Sequence, residues 1–421
     1  MKIHATILFL LCLFNLKATA QDTTFIIKPA RVFDGVAMHP GWEVAYRGNK
    51  IIYAGSGTFN QLVGPTKRIE VPNTTLLPGL IEGHSHLFLH AYNEVSWNDQ
   101  VLKESRAERT ARAVSHARKT LLAGFTSVRD LGTEGAAYDD AGLKKTIEKG
   151  IVIGPRMLVA TRAIVATGTY GPKPETAELD LPRGAAEVGN QDELIKEARI
   201  QMSKGADLIK VYADYGSGRE GEAMPTFTTA ELKAVVEVVK SSGRQVVVHA
   251  GTKEGMLRSI AAGVNTIEHG DGGDLEVFKL MKANHIALCP TLAAGESIAN
   301  YNGWKKGMDQ DPARVIKKKK AFQLAMQSGV TICMGGDVGV FNHGNNALEM
   351  ELMVEYGMKP IDVLRAATSV NAETFGIGNE VGRIKEGLMA DMIIVTDNPE
   401  TDITKIRNVG LVIKNGISYK P

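Results

Sequence analysis

The sequence predicts an α/β fold, a TIM-like (β/α)8 barrel with a small β-sandwich domain formed by both ends of the chain. Three observations support this prediction. The middle of the 421-residue chain alternates short apolar runs with helix-like runs, as parallel barrels do. Both ends carry short alternating strand patterns instead. Several apolar runs in the middle end in metal-ligand residue types, and barrel active sites lie at the carboxyl ends of their strands.

The first twenty residues read as a secretory signal. Lys2 precedes an apolar run from Ile7 to Leu16, and Ala18-Thr-Ala20 provides small residues before Gln21. The apolar stretch is too short to span a bilayer. We therefore expect cleavage after Ala20, a periplasmic or secreted mature protein, and no membrane anchor.

Short antiparallel strands are predicted at both ends of the chain. Residues 24 to about 75 alternate apolar and polar side chains between Gly and Asn turns, as in the run from Glu43 to Gly55. Residues from about 380 to 421 follow the same pattern. We assign residues 21–75 and 380–421 to one composite β-sandwich domain and residues 76–379 to the barrel.

Eight apolar runs in the middle of the chain are the candidate barrel strands. Helix-like runs lie between them, and the clearest are Ala107–Leu122, Gln191–Lys204, Thr228–Ser241 and Ala347–Tyr356. The strands are predicted at about 76–86, 125–131, 157–164, 208–214, 245–250, 265–270, 286–292 and 331–337. Long connections at 165–190, 214–228 and 292–315 are expected to cover the active site and to set substrate choice.

The histidines at positions 84 and 86 show why strand spacing matters. Side chains alternate across a strand, so residues two apart project from the same face, and both imidazoles can reach one metal ion. A single histidine of this kind is also common as a hydrogen-bonded residue in a protein interior without any metal. Lys210 is the least expected as a structural residue, since lysine is almost never fully buried without a partner. The other runs with a ligand-type ending stop at His249, His269 and Asp337.

The mixture of ligand types indicates which metal would bind. Histidine offers a neutral nitrogen suited to zinc, whereas aspartate and a modified lysine offer anionic oxygen. This mixture fits a divalent transition metal better than calcium or magnesium. Zinc is therefore the leading candidate.

At these residues the chain resembles the amidohydrolase superfamily, in particular its imidazolonepropionase-like and metal-dependent dipeptidase, or prolidase-like, branch. The resemblance extends over nearly the whole mature chain. The segments that carry it are Ala30–Gly35, His84–His86, Gly124–Asp130, Gly205–Lys210, His249, His269, Gly335–Asp337 and Gly382–Asp391.

The resemblance implies a centre with two divalent metal ions. In such enzymes the histidine pair of the first strand and the aspartate of the eighth hold one metal. The histidines of the fifth and sixth strands hold the other, and a carboxylated lysine of the fourth strand bridges them. Carried over residue by residue, the metal ligands are His84, His86, Lys210, His249, His269 and Asp337. Lys210 would carry a carbamate formed from CO2, because burial makes its neutral amine available.

The resemblance also implies a reaction. Two cations lower the pKa of a shared water toward about 7, so hydroxide exists at neutral pH. Asp337 would accept its proton and return it to the departing nitrogen. Asp337 and Lys210 are the candidate catalytic residues. The expected activity is hydrolysis of a carbon–nitrogen bond in a dipeptide, an N-acyl amino acid or a cyclic amide.

Substrate recognition differs from the family pattern at two places. Dipeptidase relatives often carry a Gly-His-Gly stretch after the third strand and an aromatic residue two positions after the fifth-strand histidine. This chain has Thr-Gly-Thr-Tyr170-Gly and His249-Ala-Gly there. Tyr170 is either an oxyanion or carboxylate donor or an ordinary loop tyrosine. The candidate substrate-binding residues are Tyr170 and His343, with Arg156 and Arg162 as further anion partners.

Charge and cysteine content bear on other classes of protein. Removing residues 1–20 takes away Lys2 and Lys17 but no acid, which leaves 47 basic and 47 acidic residues. This balance argues against nucleic-acid binding, which needs a basic footprint. We interpret Lys317 to Lys320 as a solvated helix face. Cys289 and Cys333 fall on neighbouring predicted strands and favour small buried thiols, while a bridge is left open.

Two other functions stay open at this point. A lactone or phosphotriester hydrolase uses the same kind of centre, since a metal hydroxide attacks acyl and phosphoryl groups alike. A non-catalytic metal-binding exported protein requires an incomplete site, whereas all six ligand positions are filled here. The expected partner is a small-molecule substrate, and homo-oligomer formation is left open.

Overall fold

The computed structural model describes residues 23–61, 64–172, 176 and 178–420. The predicted signal segment, residues 1–20, lies outside the described residues. No helix within the described ranges is long and apolar enough to cross a membrane.

The strands alternate with helices through the middle of the chain and dominate both ends. In chain order the described strands are β1 Thr24–Phe33, β2 Met38–Pro40, β3 Glu43–Arg47, β4 Lys50–Gly55, β5 Thr66–Pro78, β6 Leu80–Ser85, β7 Phe125–Asp130, β8 Arg156–Val159, β9 Ile164–Ala166, β10 Ala186–Val188, β11 Leu208–Tyr212, β12 Asp214–Gly216, β13 Ala223–Pro225, β14 Gln245–Ala250, β15 Thr266–His269, β16 Ala287–Cys289, β17 Met392–Thr396, β18 Val409–Lys414 and β19 Ile417–Tyr419.

The helices lie between the strands of the middle region and after the last of them. In chain order the described α-helices are α1 Trp97–Lys103, α2 Arg106–Leu122, α3 Asp139–Glu148, α4 Gln191–Ser203, α5 Thr229–Lys240, α6 Lys253–Ala262, α7 Leu275–Ala283, α8 Leu292–Tyr301, α9 Ala313–Ser328, α10 Ala347–Glu355, α11 Pro360–Arg365 and α12 Asn371–Thr374. A π-helical turn covers Ala366–Val370, and a 3-10 helix covers Ile403–Arg407.

The helices predicted from periodicity agree with α2, α4, α5 and α10 to within one residue at each end. Helix α5 shows the physical reason. Thr228 and Glu231 form a capping box that satisfies the first backbone N–H groups. The buried residues that follow recur every three or four positions, so one stripe of the helix packs against the strands. This stripe comprises Leu232, Val235, Val236 and Val239.

Strands from both ends of the chain form one eight-stranded sheet. Its order is β19-β18-β17-β5-β1-β3-β4, with β2 paired to β1. Strand β5 lies at the centre, parallel to β1 and antiparallel to β17. Ile27, Leu76 and Ile394 from these three strands belong to one buried cluster. The two ends therefore come together, while the sandwich form and the domain boundaries remain predictions.

The parallel strands in the middle of the chain form two sheets, with the orders β6-β7-β8 and β10-β9-β11-β14-β15-β16. Further backbone hydrogen bonds connect them. The Asp207 N–H donates to the Val159 carbonyl (2.8 Å), and the Cys333 N–H donates to the Leu288 carbonyl (2.8 Å). The His86 N–H donates to the Val338 carbonyl (2.7 Å), which brings segment 331–338 beside β6. The α/β fold predicted from the sequence is confirmed.

Several of the predicted barrel strands differ from the observed backbone. In the first run, 76–86, residues 76–78 belong to β5 of the eight-stranded sheet, and only Leu80–Ser85 form β6. The third run, 157–164, is divided into β8 and β9, because Thr161 adopts a left-handed conformation with φ 62° that interrupts an extended strand. The eighth run, 331–337, makes isolated parallel bridges through Ile332 and Val338 instead of a continuous strand. Its Gly-Gly sequence and the positive φ of Asp337 (64°) explain the irregular pairing.

Candidate metal centre

Three ligand-type side chains converge beyond the carboxyl end of β6. Nε2 of His84 lies 3.6 Å from Oδ1 of Asp337, and Nε2 of His86 lies 3.2 Å from the same oxygen. One ligand atom from each residue lies within 4.8 Å of the others. The set of two imidazole nitrogens and one carboxylate oxygen suits a divalent transition metal.

The backbone around Asp337 places its carboxylate beside the histidines. Its N–H donates to the His84 carbonyl (2.8 Å), so the segment lies directly against β6. Its positive φ turns the chain away from an extended path at this point. The neighbouring histidines hold the pKa of the Asp337 carboxyl below its usual range even though burial opposes this shift. The carboxylate of Asp337 is therefore anionic at neutral pH.

Outer hydrogen bonds orient the first histidine pair. Nδ1 of His86 donates to the Gly132 carbonyl (2.9 Å), which leaves Nε2 as the nitrogen that faces Asp337. Nδ1 of His84 contacts Oε2 of Glu268 (2.8 Å) in the same manner. Metal-binding histidines commonly donate their second ring N–H to a carbonyl or carboxylate, which fixes the tautomer and the ring orientation.

The carboxylate of Glu268 is part of a fully buried charged chain. Oε1 of Glu268 accepts a hydrogen bond from Nη2 of Arg129 (2.8 Å), and both side chains are inaccessible to solvent. Burial raises the pKa of Glu268, but Arg129 and His84 outweigh it and hold the pKa below its usual range. The sequence interpretation missed both residues. The signal was present, because Glu268 and Arg129 stand inside apolar strand runs, as Lys210 does.

The second histidine pair approaches from two adjacent parallel strands. His249 lies near the end of β14 and His269 at the end of β15, and their ring centroids are 4.3 Å apart. The ring of His269 is 5.3 Å from that of His84. Burial lowers the pKa of His249 to about 4 and that of His269 well below its usual range. Both imidazoles are therefore neutral, which is the form that binds metals.

Lys210 lies on β11 among these ligands. Its side chain is wholly buried, and its Nζ has no hydrogen-bond partner among the residues that the structure describes. Burial lowers the pKa of the amine, although Glu268 and Asp337 oppose this shift. An isolated buried ammonium is costly, so the neutral amine is favoured. This unpartnered nitrogen fits a lysine that becomes a ligand only after it is modified.

A cavity of about 700 Å³ opens over the candidate ligands. Aromatic and acidic side chains line one part of its wall, namely Tyr92, Glu134, Tyr170, Tyr212 and Tyr215. Cationic side chains on α9 line another part, namely Arg314, Lys317 and Lys318. The floor contains His84, His86, His249, His269 and Asp337. The cavity therefore presents metal-ligand, acidic and basic groups to one volume.

The two predicted substrate-binding residues lie in different places. Tyr170 lines the cavity, and its hydroxyl donates to Oε2 of Glu134 (2.5 Å). His343 is buried and does not itself line the cavity. Its ring stacks on His116 with centroids 4.3 Å apart, and its Nε2 bonds to the Leu89 carbonyl (3.0 Å). A direct contact between His343 and substrate is not supported by this position.

The proposed anion partners Arg156 and Arg162 also lie away from the cavity. Arg156 bonds to Asn415 (2.9 Å) in the C-terminal strand region, and Arg162 donates to the Ala185 carbonyl (2.8 Å). The cations of the cavity come instead from α9. The interpretation of Lys317 to Lys320 as a solvated face is wrong for Lys318, whose Nζ lies 2.5 Å from Asp271 at only 5% residue exposure.

The helical period explains the burial of Lys318. Val315, Lys318 and Phe322 share the buried stripe of α9, so the lysine must point inward although its neighbours in sequence do not. Asp271 neutralises its charge there. The two cysteines also behave as buried residues, and Cys289 and Cys333 are free thiols, as favoured from the sequence.

The fold and the site define an enzyme class in which metal-type ligands lie at the carboxyl ends of parallel strands. Residues 75–417 match the family model described as the Amidohydrolase family. The chain therefore belongs to the amidohydrolase family, as its resemblance indicated, and it is a hydrolase acting on carbon–nitrogen bonds.

Individual relatives agree with this assignment. Ochratoxinase from Aspergillus niger is 31% identical over 360 residues, which cover 78% of this chain and 71% of that protein. A crystal structure of a Xaa-Pro dipeptidase with bound methionine in the active site has a TM-score of 0.83 at 31% identity, covering 94% of this chain and 100% of that one. Imidazolonepropionase from Symbiobacterium thermophilum is 24% identical over 403 residues, covering 90% of this chain and 89% of that protein.

Proposed function

We propose that this chain is an exported binuclear-metal amidohydrolase that cleaves an amide bond of a small substrate. The observation that carries the proposal is the buried Nζ of Lys210, which has no hydrogen-bond partner among the described residues and lies close enough to influence the pKa values of His84, His249, His269 and Asp337. An ordinary structural lysine would have a carboxylate or carbonyl partner at such depth. A bridging ligand explains both its burial and its lack of a partner.

The donor set divides into two ligand groups. His84, His86 and Asp337 would hold one ion, and His249 and His269 the other. Between them, the neutral amine of Lys210 would add to CO2, forming a carbon–nitrogen bond and releasing one proton, so that two carboxylate oxygens result. Bound divalent ions, with zinc as the leading candidate, polarise a scissile carbonyl and lower the pKa of water to about 7.

Asp337 would move the proton of the reaction. Its side chain is 13% exposed, whereas His84 beside it is 1% exposed, so the carboxylate retains access to the cavity. It would accept the proton of the attacking water and deliver it to the departing amide nitrogen, the two roles of one acid–base group. Glu268 and Arg129 hold His84 in place during these steps and do not contact the substrate themselves.

The architecture proposed for this activity is a (β/α)8 barrel with a terminal β-sandwich domain. The backbone hydrogen bonds of Val159 with Asp207, Leu288 with Cys333, and His86 with Val338 support closure of the parallel strands. Closure also accounts for the position of the ligands, because strands that are distant in sequence then end around one cavity.

The substrate class follows from the cavity and the relatives. The names ochratoxinase and Xaa-Pro dipeptidase belong to relatives at 31% identity, and they favour an amide or peptide bond. Arg314 and Lys317 at the exposed part of α9 would bind a substrate carboxylate, in the place of Arg156 and Arg162. A dipeptide or an N-acyl amino acid has both the amide and the carboxylate.

A substrate panel combined with elemental analysis tests the proposal. The mature protein should hydrolyse a dipeptide or an N-acyl amino acid and contain about two transition-metal ions per chain. Lys210→Ala and Lys210→Arg should lose most metal and activity, because neither side chain forms a carbamate, while the exposed control Lys204→Ala should retain both. Full activity in Lys210→Arg would contradict the bridging role. Turnover of lactones or phosphotriesters without any amide would overturn the amidohydrolase activity.

A further inference from the structure

One wall of the cavity is almost entirely aromatic, and we call Tyr92, Tyr170, Tyr212, Tyr215 and Glu134 the tyrosine wall. All five line the cavity. The ring of Tyr170 is 4.9 Å from that of Tyr212 and 4.8 Å from that of Tyr215, so the rings form one packed surface. None of these five residues is a candidate metal ligand. Tyr212 stacks on His249 with ring centroids 4.6 Å apart, so the wall lies directly beside the candidate ligands without contributing one.

Glu134 is a buried carboxylate that makes no direct ion pair in the described part of the chain, although the charges of Arg109 and His86 act on it from a greater distance. The residue is 2% exposed. Its Oε2 accepts hydrogen bonds from two neutral donors, the Tyr170 hydroxyl (2.5 Å) and Nε1 of Trp97 (3.1 Å). Its Oε1 has no hydrogen-bond partner among the described residues. Buried acids are normally paired with a cation, so a carboxylate with one oxygen that accepts no hydrogen bond can pair with a cationic ligand beside the aromatic surface.

The neighbouring Arg109 acts on Glu134 through its charge but makes no direct ion pair with the carboxylate. Arg109 is also buried, but its guanidinium donates to the backbone carbonyls of Phe88, Thr133 and Glu134. These bonds fix the loop that carries Glu134, which adopts a positive φ of 50°. Arg109 thus holds the acid in position and leaves its carboxylate oxygens for other donors.

The chemistry of the wall suits an ammonium group. Faces of tyrosine rings attract cations, and this attraction is stronger where water is excluded. Because the Tyr170 hydroxyl donates its proton to Glu134, its oxygen can only accept hydrogen bonds from other groups, and it also contacts the Tyr212 hydroxyl. The Glu134 carboxylate beside the rings adds a negative charge, which attracts the positive charge of an ammonium group. A neutral N-acyl group would gain neither the cation–ring attraction nor the charge pairing.

We propose that the tyrosine wall binds the free ammonium group of the substrate, with Glu134 as the positioning and charge-supplying residue behind Tyr170. The proposal rests on the proposed function and narrows it. A dipeptide with a free amino end is selected over an N-acyl amino acid. Arg314 and Lys317 would receive the carboxylate of the same zwitterion, since their side chains form no ion pair with the described residues.

Matched substrates test the proposal in the metal-loaded protein. The value of kcat/KM for phenylalanine release should be about 10- to 100-fold higher with glycyl-L-phenylalanine than with its N-acetyl derivative, as expected for a hydrogen bond or ion pair to a charged group. Glu134→Gln should abolish this preference, mainly through KM for the free dipeptide. The exposed Glu222→Gln, near the mouth of the cavity, should keep the preference although it removes the same charge.

Binding of 2-phenylethylamine and 2-phenylethanol separates this proposal from the proposed function. The amine should bind wild-type protein at least 10-fold more tightly by calorimetry, and Glu134→Gln should remove the difference. If the protein bound the amine tightly but hydrolysed no amide, the ammonium-binding role of the tyrosine wall would be supported and the proposed amidohydrolase function would be refuted. If the protein hydrolysed amides but bound the amine and the alcohol equally well, the ammonium-binding role of the tyrosine wall would be refuted. Loss of metal in Glu134→Gln, with equal effects on both probes, would assign Glu134 to the metal centre and also overturn it.

Discussion

At the scale of single residues, the site depends on the interactions that offset the free-energy cost of burying each polar side chain. Asp337 is held by a backbone bond to His84, and the charge of Glu268 is balanced by Arg129. Lys210 is the exception, because its nitrogen has no hydrogen-bond partner among the described residues. Each of these three residues therefore predicts a different response to substitution.

Substitution of Asp337 tests the proton transfer. Asp337→Asn keeps the shape of the side chain but cannot accept a proton. The turnover number should fall by about 10²- to 10⁴-fold, the contribution of a positioned acid–base group, whereas KM should change much less. Steady-state kinetics on protein of measured metal content checks this result. Asp309→Asn, on the exposed loop before α9, serves as the control, and normal turnover by Asp337→Asn would remove Asp337 from the mechanism.

Substitution of Glu268 tests the buried chain that supports His84. Glu268→Gln leaves Arg129 without its counter-charge and weakens the bond that orients His84. Metal affinity should fall about 10- to 100-fold, as for other outer partners of metal ligands. The free energy of unfolding of the metal-free protein should fall by about 3–5 kcal/mol, the cost of breaking a buried ion pair. Competition with a chelator and chemical denaturation measure the two effects, and unchanged values in both would show that the chain is dispensable.

At the scale of elements, helices and strand ends hold the residues beside the site in register. Helix α2 packs against the segment after β6, where Nδ1 of His116 donates to the Leu87 carbonyl (2.8 Å). The ring of His343 stacks on the same histidine. This contact fastens the helix to the segment that follows His86. Because His116 is 7% exposed, its protonation state is coupled to folding.

The helix contact predicts a stability that depends on pH. Burial lowers the pKa of His116 from 6.5 to about 4, and the nearby charges of Lys119, His90 and Arg112 add to this shift. The folded state binds this proton more weakly than the unfolded state, so stability is full above pH 6.5 and is lost as the pH falls toward 4. The shift corresponds to roughly 3 kcal/mol.

A variant without the titrating group isolates this contribution. His116→Asn retains a donor for the Leu87 carbonyl but does not titrate, so its melting temperature should fall less between pH 6.5 and 4 than that of the wild type. His285→Asn is the matched control, because His285 is exposed and its positive φ of 56° suits asparagine. Identical pH profiles for His116→Asn and wild type would contradict the assignment.

At the scale of the whole molecule, one sheet joins the two ends of the chain. Strand β5 pairs with β1 on one side and with β17 on the other, although more than 300 residues separate β5 from β17 in the sequence. The two ends of the described chain therefore meet in one sheet. Residues 1–20 precede β1 in the sequence and are predicted to be removed.

Export is tested by the N-terminus of the native protein. Mass measurement of protein from its native host should show a chain that begins at Gln21, in open or cyclised form, because Ala18-Thr-Ala20 provides the small residues of a signal-peptidase site. Cell fractionation should place the protein outside the cytoplasm. Abundant cytosolic protein that retains Met1 would refute export.

The sequence by itself determined the α/β class, the main helices and the candidate ligands, because these depend on local periodicity and on residue types at the ends of apolar runs. His84 and His86 share a strand face through their spacing alone. Lys210 was recognisable as unusual because lysine rarely ends a buried strand. These features can be inferred without knowing which distant segments of the chain contact each other in the fold.

Only the tertiary structure decided which other groups complete the site. Glu134 meets Tyr170 across 36 positions, and Arg129 meets Glu268 across 139, so no local pattern indicates either pair. In the tertiary structure Lys318 lines the cavity, whereas Arg156, Arg162 and His343 do not. The physical reason is that a buried charge acquires its role from its partners, and packing alone brings those partners together.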